Sequence, residues 1–138
     1  MRYLRLPPNS DLPPYEGIRP FGAIVAIEAE ITSEWQWKVS KWLIDSGCLY
    51  MLAWGRDCAS WDDSVDYANL EAFDYEAIPD ERSVMTTWHE NESLSDVMNF
   101  AKLNMRPMSD KVELKETVLL HISPTDKQQQ YESLYAAA

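Results

Sequence analysis

The stretch Cys48-Leu49-Tyr50-Met51-Leu52-Ala53-Trp54-Gly55-Arg56-Asp57-Cys58-Ala59-Ser60-Trp61-Asp62-Asp63-Ser64-Val65-Asp66 changes periodicity part-way along. Its first seven residues form an unbroken apolar run between Gly47 and Gly55, which reads as a buried strand. Beyond Gly55, Trp61, Val65, Ala68 and Ala72 recur at helical spacing. Ser60 is placed to cap that helix, with Asp63 three residues on. A strand that passes through a short polar turn into a helix is a βα unit.

The same alternation extends in both directions. Upstream, Ile24-Val25-Ala26-Ile27 reads as a buried strand. Ser33-Glu34-Trp35-Gln36 fits a capping box, and Trp35, Val39, Trp42 and Leu43 continue it as a helix that stops at Gly47. Downstream, Ser83 to Trp88 reads as a third strand. Leu94, Val97, Met98, Ala101 and Met105 mark a helix capped by Ser93 with Asp96. Val118 to Ile122 is a fourth strand, with Val112 as its earliest start. Ser123-Pro124-Thr125-Asp126 opens a last helix carrying Tyr131, Leu134 and Tyr135.

Strands alternating with helices imply right-handed crossovers and a parallel sheet covered on both faces. The expected fold is a three-layer α/β domain with a mostly parallel, four-stranded, Rossmann-like or flavodoxin-like sheet over residues 21–123. An antiparallel pairing of the fourth strand through Val112 to Leu114 is the alternative. Residues 1–20 hold five of the eight prolines and read as an extended arm, lying over the domain or reaching a neighbouring subunit. Residues 124–138 form a C-terminal helix or tail.

Composition narrows the function. The formal net charge of −11 disfavours nucleic-acid backbones and anionic membranes, and leaves a basic protein as the partner class it favours. No apolar run approaches the ~20 residues of a membrane span. Two cysteines make no disulfide scaffold, and Met1 to Pro8 lacks an apolar leader. A cytoplasmic protein with reduced thiols is therefore expected.

In a sheet of this kind, chemistry collects outside the carboxyl ends of the strands. Those ends carry Glu28, then Trp54, Arg56, Asp57 and Cys58, then Trp88 and His89, then His121. A small enzyme or ligand-binding protein would use Glu28, Asp57, Cys58, His89 and His121 there, with an imidazole as base for the thiol. His89 is expected to be exposed, and His121 to be a hydrogen-bonded, partly buried residue. Trp54 and Trp88 occupy matching positions and could wall one pocket. Only four glycines are present, so neither a dinucleotide fingerprint nor a P-loop can be built, and no cofactor is expected. Asp62, Asp63 and Asp66 suit a helix start through the macrodipole without any metal, and no zinc-ligand spacing occurs.

Between Arg56 and Arg82 the chain has no Lys or Arg, but nine acids. Tyr67, Phe73 and Tyr75 are interleaved with them. An acidic face with aromatic anchors fits a basic partner, since charge steers encounter and aromatics supply buried contact. The leading expectation is thus an acidic protein-binding module, of inhibitor, immunity or regulatory type, using Trp54, Arg56, Asp62, Asp63, Asp66 and Trp88. The enzyme or ligand binder is the alternative.

Gly47 to Met51, Trp54 to Cys58 with Trp61 to Asp66, Met85 to His89, and Val118 to Ile122 together resemble an uncharacterised family of small bacterial domains. The resemblance spans roughly residues 20–123. It implies a single domain and assigns no activity.

Overall fold

The computed structural model describes residues 1–138. Five strands form one parallel sheet: β1 (Arg2–Leu6), β2 (Phe21–Ile27), β3 (Cys48–Gly55), β4 (Met85–His89) and β5 (Glu116–Ile122). Four helices connect or flank them: α1 (Ser33–Ser46), α2 (Ala59–Ala72), α3 (Leu94–Asn104) and α4 (Gln128–Ala137). The α/β class and the parallel sheet agree with the sequence reading. The strand count does not. Residues 2–6 of the Pro-rich arm form an additional strand against β5, and the sheet order is β1-β5-β2-β3-β4.

Numbered from β2, the four strands other than β1 run 3-2-1-4, the order in which a doubly wound dinucleotide-binding sheet begins, and β1 takes the next place. The phosphate-facing turn of that architecture would follow β2. Here it is Glu28-Ala29-Glu30, whose carboxylates repel a pyrophosphate.

Every residue of β2 is buried, because the strand lies at the centre of the sheet with helices on both faces. Side chains alternate across it. Ala23, Val25 and Ile27 face a core shared with Val39 and Leu43 of α1 and Trp61 and Val65 of α2. Ile24 and Ala26 face a second core with Val97 and Met98 of α3 and Tyr131 of α4.

The local signals were mostly legible. Ser93 caps α3 by accepting from the Asp96 amide at 3.1 Å. Gly47 ends α1 in the left-handed region, as a helix stop requires. The α1 cap is Thr32 instead of Ser33. Thr32 accepts from the Trp35 amide, while its own amide donates to Asn9 of the arm. Ser60 does not cap α2: its hydroxyl donates to the Asp57 carbonyl at 2.8 Å, and the helix begins one residue earlier. Val112 to Leu114 lie outside any strand, and β5 is parallel to both neighbours. The last helix starts at Gln128, beyond Ser123-Pro124.

Between β1 and β2 the arm is strapped across α1. The indole nitrogens of Trp35 and Trp42 donate to the carbonyls of Ser10 and Pro13, each at 2.7 Å. Tyr15 stacks on Phe21. No helix is long and apolar enough to cross a membrane.

Gly55 ends β3 with φ +102°, and a Cβ there would lie 2.2 Å from the Ile27 carbonyl oxygen. That carbonyl accepts from the Arg56 amide at 2.8 Å, so it cannot move without losing the bond. Gly55→Ala is expected to cost about 2 kcal/mol or more in a urea unfolding experiment. An unchanged midpoint would mean that the β3–α2 turn relaxes freely.

Candidate functional site

The carboxyl edge of the sheet carries one row of residues in register: Arg5, His121, Ala26, Trp54 and His89. All five belong to the face covered by α3 and α4. His121 and His89 are nevertheless three strand spacings apart, about 14 Å. The expected constellation therefore divides. Glu28 and His121 meet at one place, and Asp57, Cys58 and His89 at another. Trp54 and Trp88 cannot wall one pocket, because Trp54 pairs with His89, which places Trp88 on the opposite face.

The first cluster lies between β2 and β5. The connection after β2 turns to one face and that after β5 to the other, which is the switch point where doubly wound sheets bind ligands. His121 is 0% exposed. Its Nε2 lies 2.8 Å from Glu28 Oε1, and its Nδ1 lies 2.6 Å from the Tyr3 hydroxyl. The Tyr131 hydroxyl donates to the same Glu28 oxygen, and Lys127 Nζ stands 3.6 Å from the other. The Lys127 amide donates to the Tyr3 oxygen at 3.0 Å.

This network has one self-consistent direction. A carboxylate only accepts, so His121 donates from Nε2 and, as a neutral ring, accepts at Nδ1 from the Tyr3 hydroxyl. Burial holds the His121 pKa below its ordinary value, against the pull of Glu28. Burial alone would raise Glu28; the bonds from Tyr131 and His121, with Lys127 nearby, outweigh it and hold the carboxyl below its usual range. Both imidazole nitrogens are engaged and α4 covers them. The cluster joins four elements, and Glu28 and Lys127 in it still reach solvent in part.

The second cluster lies at the ends of β3 and β4, against a cavity of about 400 Å3 that Trp54, Asp57, Cys58 and His89 help to line. His89 is buried, contrary to expectation. The fold turns it inward over Phe100 of α3, where Thr87 and Glu92 each hold one ring nitrogen at 2.9 Å. Cys58 is buried too, and burial pushes its thiol pKa up, the wrong direction for a nucleophile. Arg56 extends into solvent, 3.8 Å from Glu30, beside a smaller cavity on the other face.

On α2, Asp62 and Asp66 converge on the hydroxyl of Thr86 from β4, which lies 3.1 Å from the nearer Asp66 oxygen. Burial, together with Asp62 and Asp63, pushes the Asp66 carboxyl up, and the Thr86 bond only partly offsets this. Asp63 points away into solvent. No group of three or more His, Cys, Asp or Glu is placed to hold a metal ion.

Tyr3, Lys127 and Tyr131 were missed at the level of sequence. The signal available was His121 itself: a histidine inside Leu119-Leu120-His121-Ile122 needs a partner for each nitrogen. Nothing in the spacing says that those two partners are Tyr3 and Glu28, 118 and 93 residues earlier in the chain.

A family model for a domain of unknown function, DUF7684, matches residues 1–138. The chain belongs to this family. The match includes the arm and the C-terminal helix, and so extends past the segments that carried the resemblance. This agrees with a strand in the arm and a hydrogen-bonded Tyr131 in the helix. No curated protein and no solved structure matches the chain.

The first cluster predicts how stability changes with pH. His121 is held below its ordinary 6.5, so its contribution is complete above that pH and falls as pH drops and the unfolded chain takes up the proton first. Glu28 is held below 4.5 and acts in the same direction at lower pH. The urea midpoint should fall between pH 7 and pH 5, and His121→Gln should flatten that interval; an equal slope in the variant would refute the assignment. Tyr131→Phe removes the phenol while keeping the ring. It should cost about 1–2 kcal/mol at pH 7 and lower hydrogen-exchange protection first in α4.

Proposed function

We propose that this chain is an acidic protein-binding module that docks a basic partner on the outward face of α2 and the loop after it. The observation that carries this reading is the set of exposed side chains there. Tyr67 and Tyr75 are 57% and 63% exposed, far more than large aromatics in a packed domain require. They alternate with Asp63, Glu71, Asp74 and Glu76, all exposed. Arg82, the first cation after the acidic stretch, is drawn onto the ring of Phe73, at 5.3 Å.

Such a surface attracts a cationic partner over a Debye length of about 8 Å at physiological salt. Exposed tyrosines then supply contact area at little entropic cost, as in other recognition surfaces. A role as inhibitor, immunity protein or regulator would follow from which basic surface it covers. The alternative, a small-molecule site, is favoured by the cavity beside His89. It is weakened by the distance from His89 to the Glu28–His121 pair and by the burial of Cys58.

The test uses an alternating Lys-Val peptide as probe, followed by calorimetry. Asp63→Lys, Glu71→Lys and Asp74→Lys combined should weaken binding about tenfold or more, and added salt should weaken the wild type similarly. Tyr67→Ala with Tyr75→Ala should weaken it several-fold with no change of charge. If the triple reversal binds the peptide as well as the wild type, the reading is wrong.

A further inference from the structure

The two edges of the sheet are defended differently. A free edge offers unpaired backbone groups to any passing strand, and natural proteins guard it with charged side chains, prolines or a covering element. At one edge, β1 carries Arg2 and Arg5 and runs directly into Pro7-Pro8. Arg2 is further engaged by Glu116 at 2.8 Å. That edge is guarded twice over.

The other edge is β4, Met85-Thr86-Thr87-Trp88-His89. It contains no Lys, Arg, Asp, Glu or Pro. It pairs with β3 along one side and with nothing along the other. Trp88 on this edge is 48% exposed. Thr and Trp favour strand pairing, so the sequence maintains the edge as a strand and leaves it open.

The geometry points to β4 as an acceptor strand: a basic, extended segment of a partner protein adds to the sheet edge as a sixth strand. The proposal rests on the reading of the acidic face above and specifies its occupant. Side chains of the added strand would alternate between the two faces of the sheet. On the face of Thr86 and Trp88 they would stand beside Asp62 and Asp66, with Asp63 further out. On the face of Met85, Thr87 and His89 they would stand beside Phe100 of α3. The occupant is therefore a strand with Lys or Arg at every second position and apolar residues between. Backbone hydrogen bonds give affinity in such additions, and the alternating side chains give selectivity.

The experiment compares four peptides on the intact chain: alternating Lys-Val, the same peptide methylated at alternate backbone nitrogens, a block peptide of the same composition, and alternating Glu-Val. Binding is read by calorimetry, and the site by hydrogen exchange at individual amides. Alternating Lys-Val should slow exchange at the outward amides of β4 about tenfold, with a change in Trp88 fluorescence. N-methylation and block order should each weaken binding about tenfold, and Glu-Val should not bind. Trp88→Lys, at an exposed position, should abolish binding while its circular dichroism stays that of the wild type.

Equal binding of the methylated peptide, with β4 exchange unchanged, would overturn strand addition and leave the acidic docking face standing. Failure of every lysine peptide to bind, or equal binding of Glu-Val, would overturn both.

Discussion

A parallel sheet must be covered on both faces, and the central strand β2 bears the full consequence. All seven of its residues are buried. Ala23, Val25 and Ile27 need α1 and α2 on one side, and Ile24 and Ala26 need α3 and α4 on the other. Once β2 has this role, the crossover from β4 must return past β3 and β2 to place β5 on its far flank. The switch point between β2 and β5 follows from the same requirement. Ionisable polar groups are largely excluded from the interior, where no Asp, Glu, Lys or Arg is buried.

His121 is the exception, and its environment shows what such an exception demands. An imidazole at 0% exposure must satisfy two nitrogens without water. One partner comes from the turn after β2 and one from the arm, while α4 supplies a second donor to the shared carboxylate. Tyr131 is the one buried residue of α4, so the same phenol that completes the network also seats the helix. The arm and the tail are thereby tied to the centre of the sheet by polar contacts as well as by the apolar packing of Leu6, Tyr15 and Tyr131. This gives a physical reason for the family match to run from the first residue to the last.

Local patterns reached the elements better than the edges. The cap of α3 at Ser93, the stop at Gly47 and the core faces of α1 and α2 were visible because each depends on residues within one or two turns. β1 was not, because an edge strand is half-covered and its Arg2 and Arg5 break the apolar run that marks a buried strand. The prolines after it mark extended chain and mask the short strand that precedes them. The site suffered from a different limit. Strand ends could be identified, and both histidines do lie in one row of the sheet. Their separation depends on strand order, which arises from crossovers that no local spacing records. His89 reads as exposed from its neighbours Glu90 and Asn91, yet Phe100, eleven residues on, covers it.

If β4 accepts a basic strand as proposed, the acidity of the chain and its open edge are connected by specificity. An unguarded strand is a hazard chiefly because identical molecules carry identical edges. Lysines on the strand itself would remove that hazard by repelling every partner strand rich in like charge, and would also disturb pairing with any basic segment. Carboxylates on the adjoining helix act differently. Two copies of this chain, each with a net charge of −11, repel one another before their edges meet. A cationic strand meets attraction over the same distance. On the proposed reading, the acid surplus would guard β4 against its own kind without closing it, and selectivity would lie in the contrast between the two encounters instead of in a covered edge.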